Sequence, residues 1–92
     1  MLDIRFSVQF KKDFKHALKQ GLSEEKLTKV LEYLVNDRPL PRKYRDHALA
    51  GSRKYKNARE CHIQPDWLLI YRILKSELVL ELLRTGSHSD LF

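Results

Sequence analysis

Three groups of residues in this 92-residue chain carry side chains suited to proton transfer and anion binding. The last nine residues, Arg84-Thr85-Gly86-Ser87-His88-Ser89-Asp90-Leu91-Phe92, crowd an Arg, a His and an aromatic together. A second cluster, His62-Ile63-Gln64-Pro65-Asp66-Trp67, adds another His and a carboxylate, and a third His follows Asp46 at position 47. A fixed positive charge can grip a phosphate, a group titrating near neutrality can move a proton, and a flat ring can hold a base. Taken singly, each residue has a plain structural use: a solvated His, a turn Asp, a core Trp, a paired Arg. As a set they match metal-free RNA cleavage, in which a base takes the proton of a ribose 2′-OH and an acid protonates the leaving 5′-oxygen. Imidazole suits both roles because its ordinary pKa is about 6.5. Arg stabilises the charge gathered on the phosphorane. The nucleophile belongs to the substrate, so no cofactor is needed.

A metal centre is the competing use of four His and one Cys, and the spacing disfavours it. Cys61 and His62 are neighbours that point to opposite faces of a strand, and no CxxC, HxxxH or HExxH occurs.

The net charge is +6 and unevenly spread. Arg38, Arg42, Lys43, Arg45, Arg53, Lys54, Lys56 and Arg59 face a single acid, Asp46, in one segment, leaving the remainder close to balance. Such a stripe fits a polyanion. Arg42, Lys43, Arg45, Arg53, Lys54 and Lys56 are therefore candidate phosphate contacts, with Tyr44 and Tyr55 as possible stacking rings.

The elements that must position these residues follow from periodicity. Leu2, Ile4 and Phe6 alternate with polar residues as in a half-buried strand. Ser7 can cap a helix whose stripe is Phe10, Phe14, Ala17 and Leu18, stopped by Gly21. Ser23, with Glu24 and Glu25 in the first turn, caps a second helix with Leu27, Val30, Leu31 and Leu34 on its apolar side. The two helices are expected to form an antiparallel hairpin. Residues 39–51 lack periodicity and read as a loop with short extended pieces. Arg59 to Ile63 is a strand candidate, Pro65-Asp66 a turn, and Trp67 to Leu74 a strand apolar enough to be central and buried on both faces. Lys75-Ser76-Glu77 then connects to a strand over Leu78 to Arg84. The fold class is α+β, a single domain over residues 1–92: an N-terminal strand and helical hairpin packed on a twisted antiparallel β-sheet, in the order β-α-α-β-β-β. Antiparallel pairing brings His62, Asp66, Arg84 and His88 to one end of the sheet, and the face without helices is the expected binding surface. No apolar run is long enough to span a bilayer, and a lone Cys61 fits a reducing cytoplasm.

With these residues in view, the chain resembles the YafQ-type toxins of the RelE/ParE superfamily, from bacterial toxin–antitoxin modules. The matching strings are Asp46-His47-x-Leu49-x-Gly51-Ser52, then Arg59-Glu60-Cys61-His62-Ile63-x-Pro65-Asp66-Trp67-Leu68-Leu69-Ile70-Tyr71, then Arg84-Thr85-Gly86-Ser87-His88-Ser89-x-Leu91-Phe92. The resemblance implies a ribosome-dependent mRNA endonuclease acting in the A site, and a cognate antitoxin. It implies His62 and His88 as the proton-transfer pair, Asp66 as a carboxylate that orients or tunes a histidine or itself acts in proton transfer, and Arg84 on the transition state. His47 would assist, and Phe92 would hold a nucleobase. Trp67, grouped with the binding residues, would pack behind the site. Two other readings stay open: a non-catalytic gyrase inhibitor on the same fold, and a basic RNA-binding module without chemistry.

Overall fold

The computed structural model describes residues 1–49 and 55–92. The elements run β1 (Asp3–Phe6), α1 (Val8–Lys19), α2 (Glu24–Val35), a single 3₁₀ turn (Arg42–Tyr44), β2 (His47–Ala48), β3 (Arg59–Gln64), β4 (Trp67–Leu74), β5 (Val79–Gly86) and α3 (His88–Leu91). The five strands form one sheet in the order β1-β5-β4-β3-β2. β3 to β5 pair antiparallel as expected, the short β2 adds an antiparallel edge piece from the stretch read as loop, and β1 pairs parallel to β5, so the sheet is mixed. The reason is the N-terminal crossover: β1 leaves through two helices before the chain re-enters the sheet, and it takes the free edge of β5.

β4 is central, and Trp67 to Tyr71 are each at most 1% exposed. Full burial of such side chains is worth roughly 1.5–3 kcal/mol apiece, which makes this strand the main apolar contribution to folding. Trp67, Leu69 and Tyr71 face the helices, where Phe10, Leu27, Val30 and Leu34 meet them in one core. α1 lies against β5 and α2 against β3, so each helix docks on the sheet. Tyr44 also belongs to this core at 8% exposure, so it is not a ring available for stacking on RNA.

The opposite sheet face is less open than expected. Ala58, Ile70 and Leu83 form a second cluster there, with Leu49, Tyr55 and Leu91 packed against it. Leu91 comes from α3, which folds back on the end of β5. The face left for binding therefore shrinks to the end of the sheet where β3, β4 and β5 carry the histidines.

Local chemistry sets the helix ends. Ser7 caps α1 through Phe10 N–H and donates its own hydroxyl to the Leu83 carbonyl at 2.8 Å, tying the helix start to β5. Gly21, at φ +86°, ends α1 with the Leu22 amide reaching back to the Ala17 carbonyl. Ser23 stands at the N-cap of α2 but makes no side-chain capping bond. Leu78 adopts a left-handed turn conformation and is exposed, which delays the start of β5 to Val79.

Candidate active site

The β-sheet register lines up the site. Across the strands, Arg84 pairs with Ile70, Ile70 with Glu60, and Glu60 with His47. One pleat further, Gly86 pairs with Leu68, and Leu68 with His62. Paired residues point to the same face, so His47, Glu60, His62 and Arg84 leave the sheet on the side away from the helix-packed core, and Arg84 turns back at the sheet end to reach α1. α3 then delivers His88 to this end. The ring of His62 lies between the other two, 6.3 Å from His47 and 5.6 Å from His88 between centroids.

Each imidazole is oriented by a different acceptor. His47 Nδ1 is 2.8 Å from the Arg45 carbonyl oxygen, and His62 Nδ1 is 3.3 Å from that of Pro65. A carbonyl can only accept, so both rings carry hydrogen on Nδ1. His88 Nδ1 donates to Asp66 Oδ1 at 2.8 Å, and the His88 amide reaches the same oxygen at 3.1 Å. These two bonds, the amide first, hold the Asp66 carboxyl below the usual carboxylate range. The result leaves His88 Nε2 as the chemically available nitrogen, the arrangement by which a carboxylate selects a tautomer.

Glu60, absent from the residues expected in the site, sits between two of the rings. Its Oε1 lies 3.5 Å from His47 Nε2 and 3.7 Å from His62 Nε2, and the residue is only 7% exposed. The signal was present in the sequence: Glu60 and His62 are two apart on a strand and must share a face. A carboxylate so placed favours whichever ring has just gained a proton.

Arg84 behaves differently. Its Nε and Nη2 donate to both oxygens of Asp13 on α1, at 2.8 and 3.1 Å, and Asp13 also accepts from the Thr85 amide. This pairing raises the Arg84 pKa further. Burial works against ionised Asp13, but the bonds from Arg84, Gln9 and Thr85 outweigh it and lower its pKa. Arg84 thus occupies the expected end of the sheet with half its fork committed to α1. Asp13 lies on the stripe of Phe10, Phe14 and Ala17, which places it on the packed side of α1 without naming its partner.

The remaining expected residues divide cleanly. Trp67 is fully buried, its indole N–H donating to Thr85 Oγ1 at 2.8 Å; it braces the site from behind and does not face solvent. Phe92 is 69% exposed at the end of α3. Arg42, Lys43, Arg45 and Lys56 lie at the surface, while Arg53 and Lys54 lie outside the described residues. Asp46, beside His47, accepts from the Tyr71 hydroxyl and from Arg59, which fastens the β2 segment to the core. Cys61 is fully buried, and burial pushes its thiol pKa strongly upward, so it is no nucleophile.

Gly86 is what lets α3 close on the site. It adopts φ +153°, and a Cβ there would lie 3.1 Å from Asp90 Cβ and 3.2 Å from Asp90 Oδ2. Asp90 in turn completes a reciprocal capping pair with Ser87 at the start of α3.

The family described as "Bacterial toxin of type II toxin-antitoxin system, YafQ" matches residues 2–92. The chain belongs to this family. It is 43% identical over 91 residues to the mRNA interferase toxin YafQ of Escherichia coli K12, covering 98% of this chain and 95% of that one. The E. coli DinJ-YafQ complex superposes with a TM-score of 0.87 at 41% identity, covering 100% of this chain and 99% of that one. A metal-bound toxin from Helicobacter pylori reaches 0.93 at 48% identity, with both chains fully covered. Among the described residues of the present YafQ-family chain, no three His, Cys, Asp or Glu groups converge to hold a metal ion. No described helix is long and apolar enough to cross a membrane.

Proposed function

We propose that this YafQ-family toxin is an mRNA endonuclease that acts on ribosome-bound message, and that a cognate antitoxin holds it in check. The observation that carries the chemistry is the Asp66–His88 hydrogen bond with the His62 ring beside it. In this mechanism one histidine of the His62/His88 pair takes the 2′-OH proton. The 2′-oxygen attacks the adjacent phosphorus, and the other histidine returns a proton to the departing 5′-oxygen. The products are a 2′,3′-cyclic phosphate and a free 5′-hydroxyl, so each proton removed from RNA is matched by one supplied. Asp66 holds the His88 tautomer, and Glu60 stabilises the protonated form of its neighbours. Arg84, held by Asp13 and Tyr55, offsets phosphorane charge, and Phe92 stacks on a base.

The names of the relatives support this reading: an mRNA interferase in E. coli, and a complex with DinJ. The test is cleavage of an mRNA on translating ribosomes, mapped by primer extension, for wild type and His88→Ala. Cuts within codons that vanish in the variant are expected. Growth arrest by wild type without any cut would redirect attention to gyrase, and a supercoiling assay would follow.

A further inference from the structure

Next to the catalytic row lies a cavity of about 420 Å³, bounded by Lys26 and Lys29 of α2, Lys43 and Arg45 of the basic loop, and His62 with Pro65. That volume falls within the roughly 300–1,000 Å³ usual for ligand pockets. Its composition is one-sided: four cations from two separate elements converge, and no carboxylate lines it. None of the four is in an ion pair among the described residues, although the acidic side of α2 (Glu25 and Glu32) flanks Lys29 from outside. Lys43 is held in place by the face of Tyr44, 5.1 Å from the ring centre, and Tyr44 is itself core. Four unpaired cations around a concavity carry mutual repulsion that an anion would relieve.

We propose that this cavity binds a backbone phosphate of an RNA strand, immediately beside the phosphate that is cut. The proposal rests on the nuclease reading and adds to it a subsite that uses α2, an element with no part in the catalytic row. His62 carries the argument, because this residue borders the cavity while its ring stands in the middle of the row. A strand whose scissile phosphate lies among His62 and His88 passes its neighbouring phosphate over the end of β3 at His62 into the cluster of Lys26, Lys29, Lys43 and Arg45. The subsite would fix the register of the strand against the acid–base pair, so its loss should weaken binding without removing proton transfer.

The experiment measures binding of a fluorescent 2′-O-methyl RNA hexamer, which lacks the nucleophile and cannot be cut, over a series of salt concentrations. Wild type, the double variant Lys26→Gln/Lys29→Gln and His88→Ala are compared, each with a thermal melt to confirm the fold. The double variant should bind more weakly, and its slope of log affinity against log salt should flatten by about 0.7 for each phosphate left without its cation. His88→Ala should keep the wild-type slope. A parallel arm uses vacant ribosomes: a flattened slope there, with hexamer binding unchanged, would support the phosphate site and assign it to ribosomal RNA. Wild-type affinity and slope for the double variant in both arms would overturn the proposal. Weakening confined to the antitoxin would do so as well, in favour of an acidic peptide. Failure of the nuclease reading is registered separately, by wild type making no cut in an mRNA on translating ribosomes.

Discussion

Two carboxylates each hold a nitrogen-bearing side chain at the end of β5, and the two pairs have the same separation with different consequences. Asp13–Arg84 and Asp66–His88 both close at 2.8 Å. The side chains of the first pair are 10% and 19% exposed, those of the second 71% and 55%. Removing one partner from the sheltered pair leaves a poorly solvated charge, which is costly. Water replaces a missing partner in the exposed pair at little cost to stability. The difference shows that distance alone does not say what a carboxylate's partner is for. Asp13 and Arg84 join α1 to the end of the sheet, whereas Asp66 and His88 keep a ring nitrogen available.

The sharpest separation of the two pairs comes from His88→Ala. Loss of one proton-transfer group should lower the cleavage rate by roughly 10² to 10⁴. Its melting temperature should stay within about 2 °C of wild type, since water takes over the role of an exposed partner. A large drop in melting temperature would reveal that His88 is chiefly structural and undo the contrast.

Asp13→Ala should do the reverse. It takes the carboxylate from Arg84, leaving that side chain only its hydrogen bond to Tyr55, and removes the acceptor of the Thr85 amide, at a cost of about 2–3 kcal/mol after allowing for partial exposure. In a chain of this size that lowers the melting temperature by about 10 °C or more. A melt within a few degrees of wild type would mean that the hydrogen bond Arg84 already shares with Tyr55 is enough to hold it.

Gly86→Ala lies between the two pairs and couples them. The added Cβ has to displace Asp90, and the strained backbone costs of order 1–3 kcal/mol. Because α3 carries His88, the shift should also pull that ring from Asp66 and cut the rate about tenfold, in line with the sensitivity of catalysis to small misplacements. Unchanged cleavage by Gly86→Ala would show that α3 tolerates movement.

The exposed pair was readable in the sequence and the sheltered one was not, for a physical reason. A turn at Pro65-Asp66 and a strand ending near Arg84 are local signals, and antiparallel pairing alone brings Asp66 and His88 together. The continuous apolar run from Trp67 likewise announced the central strand. The bond from Asp13 to Arg84 spans most of the chain and depends on α1 crossing the edge of β5, which no local pattern encodes. The same holds for the parallel pairing of β1, and for the cover that Leu49, Tyr55 and Leu91 place over the second face. Tyr44 sits in a stretch without periodicity, so nothing distinguished a core ring from a stacking one.

The smallest expected effect is in acid, and it tests the comparison without altering catalysis. Asp13 has a lowered pKa in the folded chain, so the folded state holds its proton less tightly than the unfolded chain, where the value is about 3.9. A group depressed on folding contributes stability that is complete above its unfolded pKa and disappears as pH falls through the folded value. Asp66 is lowered too, but it is fully exposed, and solvent screens what its bonds to His88 contribute to stability. Denaturant melts taken from about pH 5 down to about pH 2 should therefore show wild type losing stability more steeply than Asp13→Asn. Asp66→Asn should follow the wild-type slope. If Asp66→Asn flattens the acid limb as much as Asp13→Asn does, burial is not what divides the two pairs.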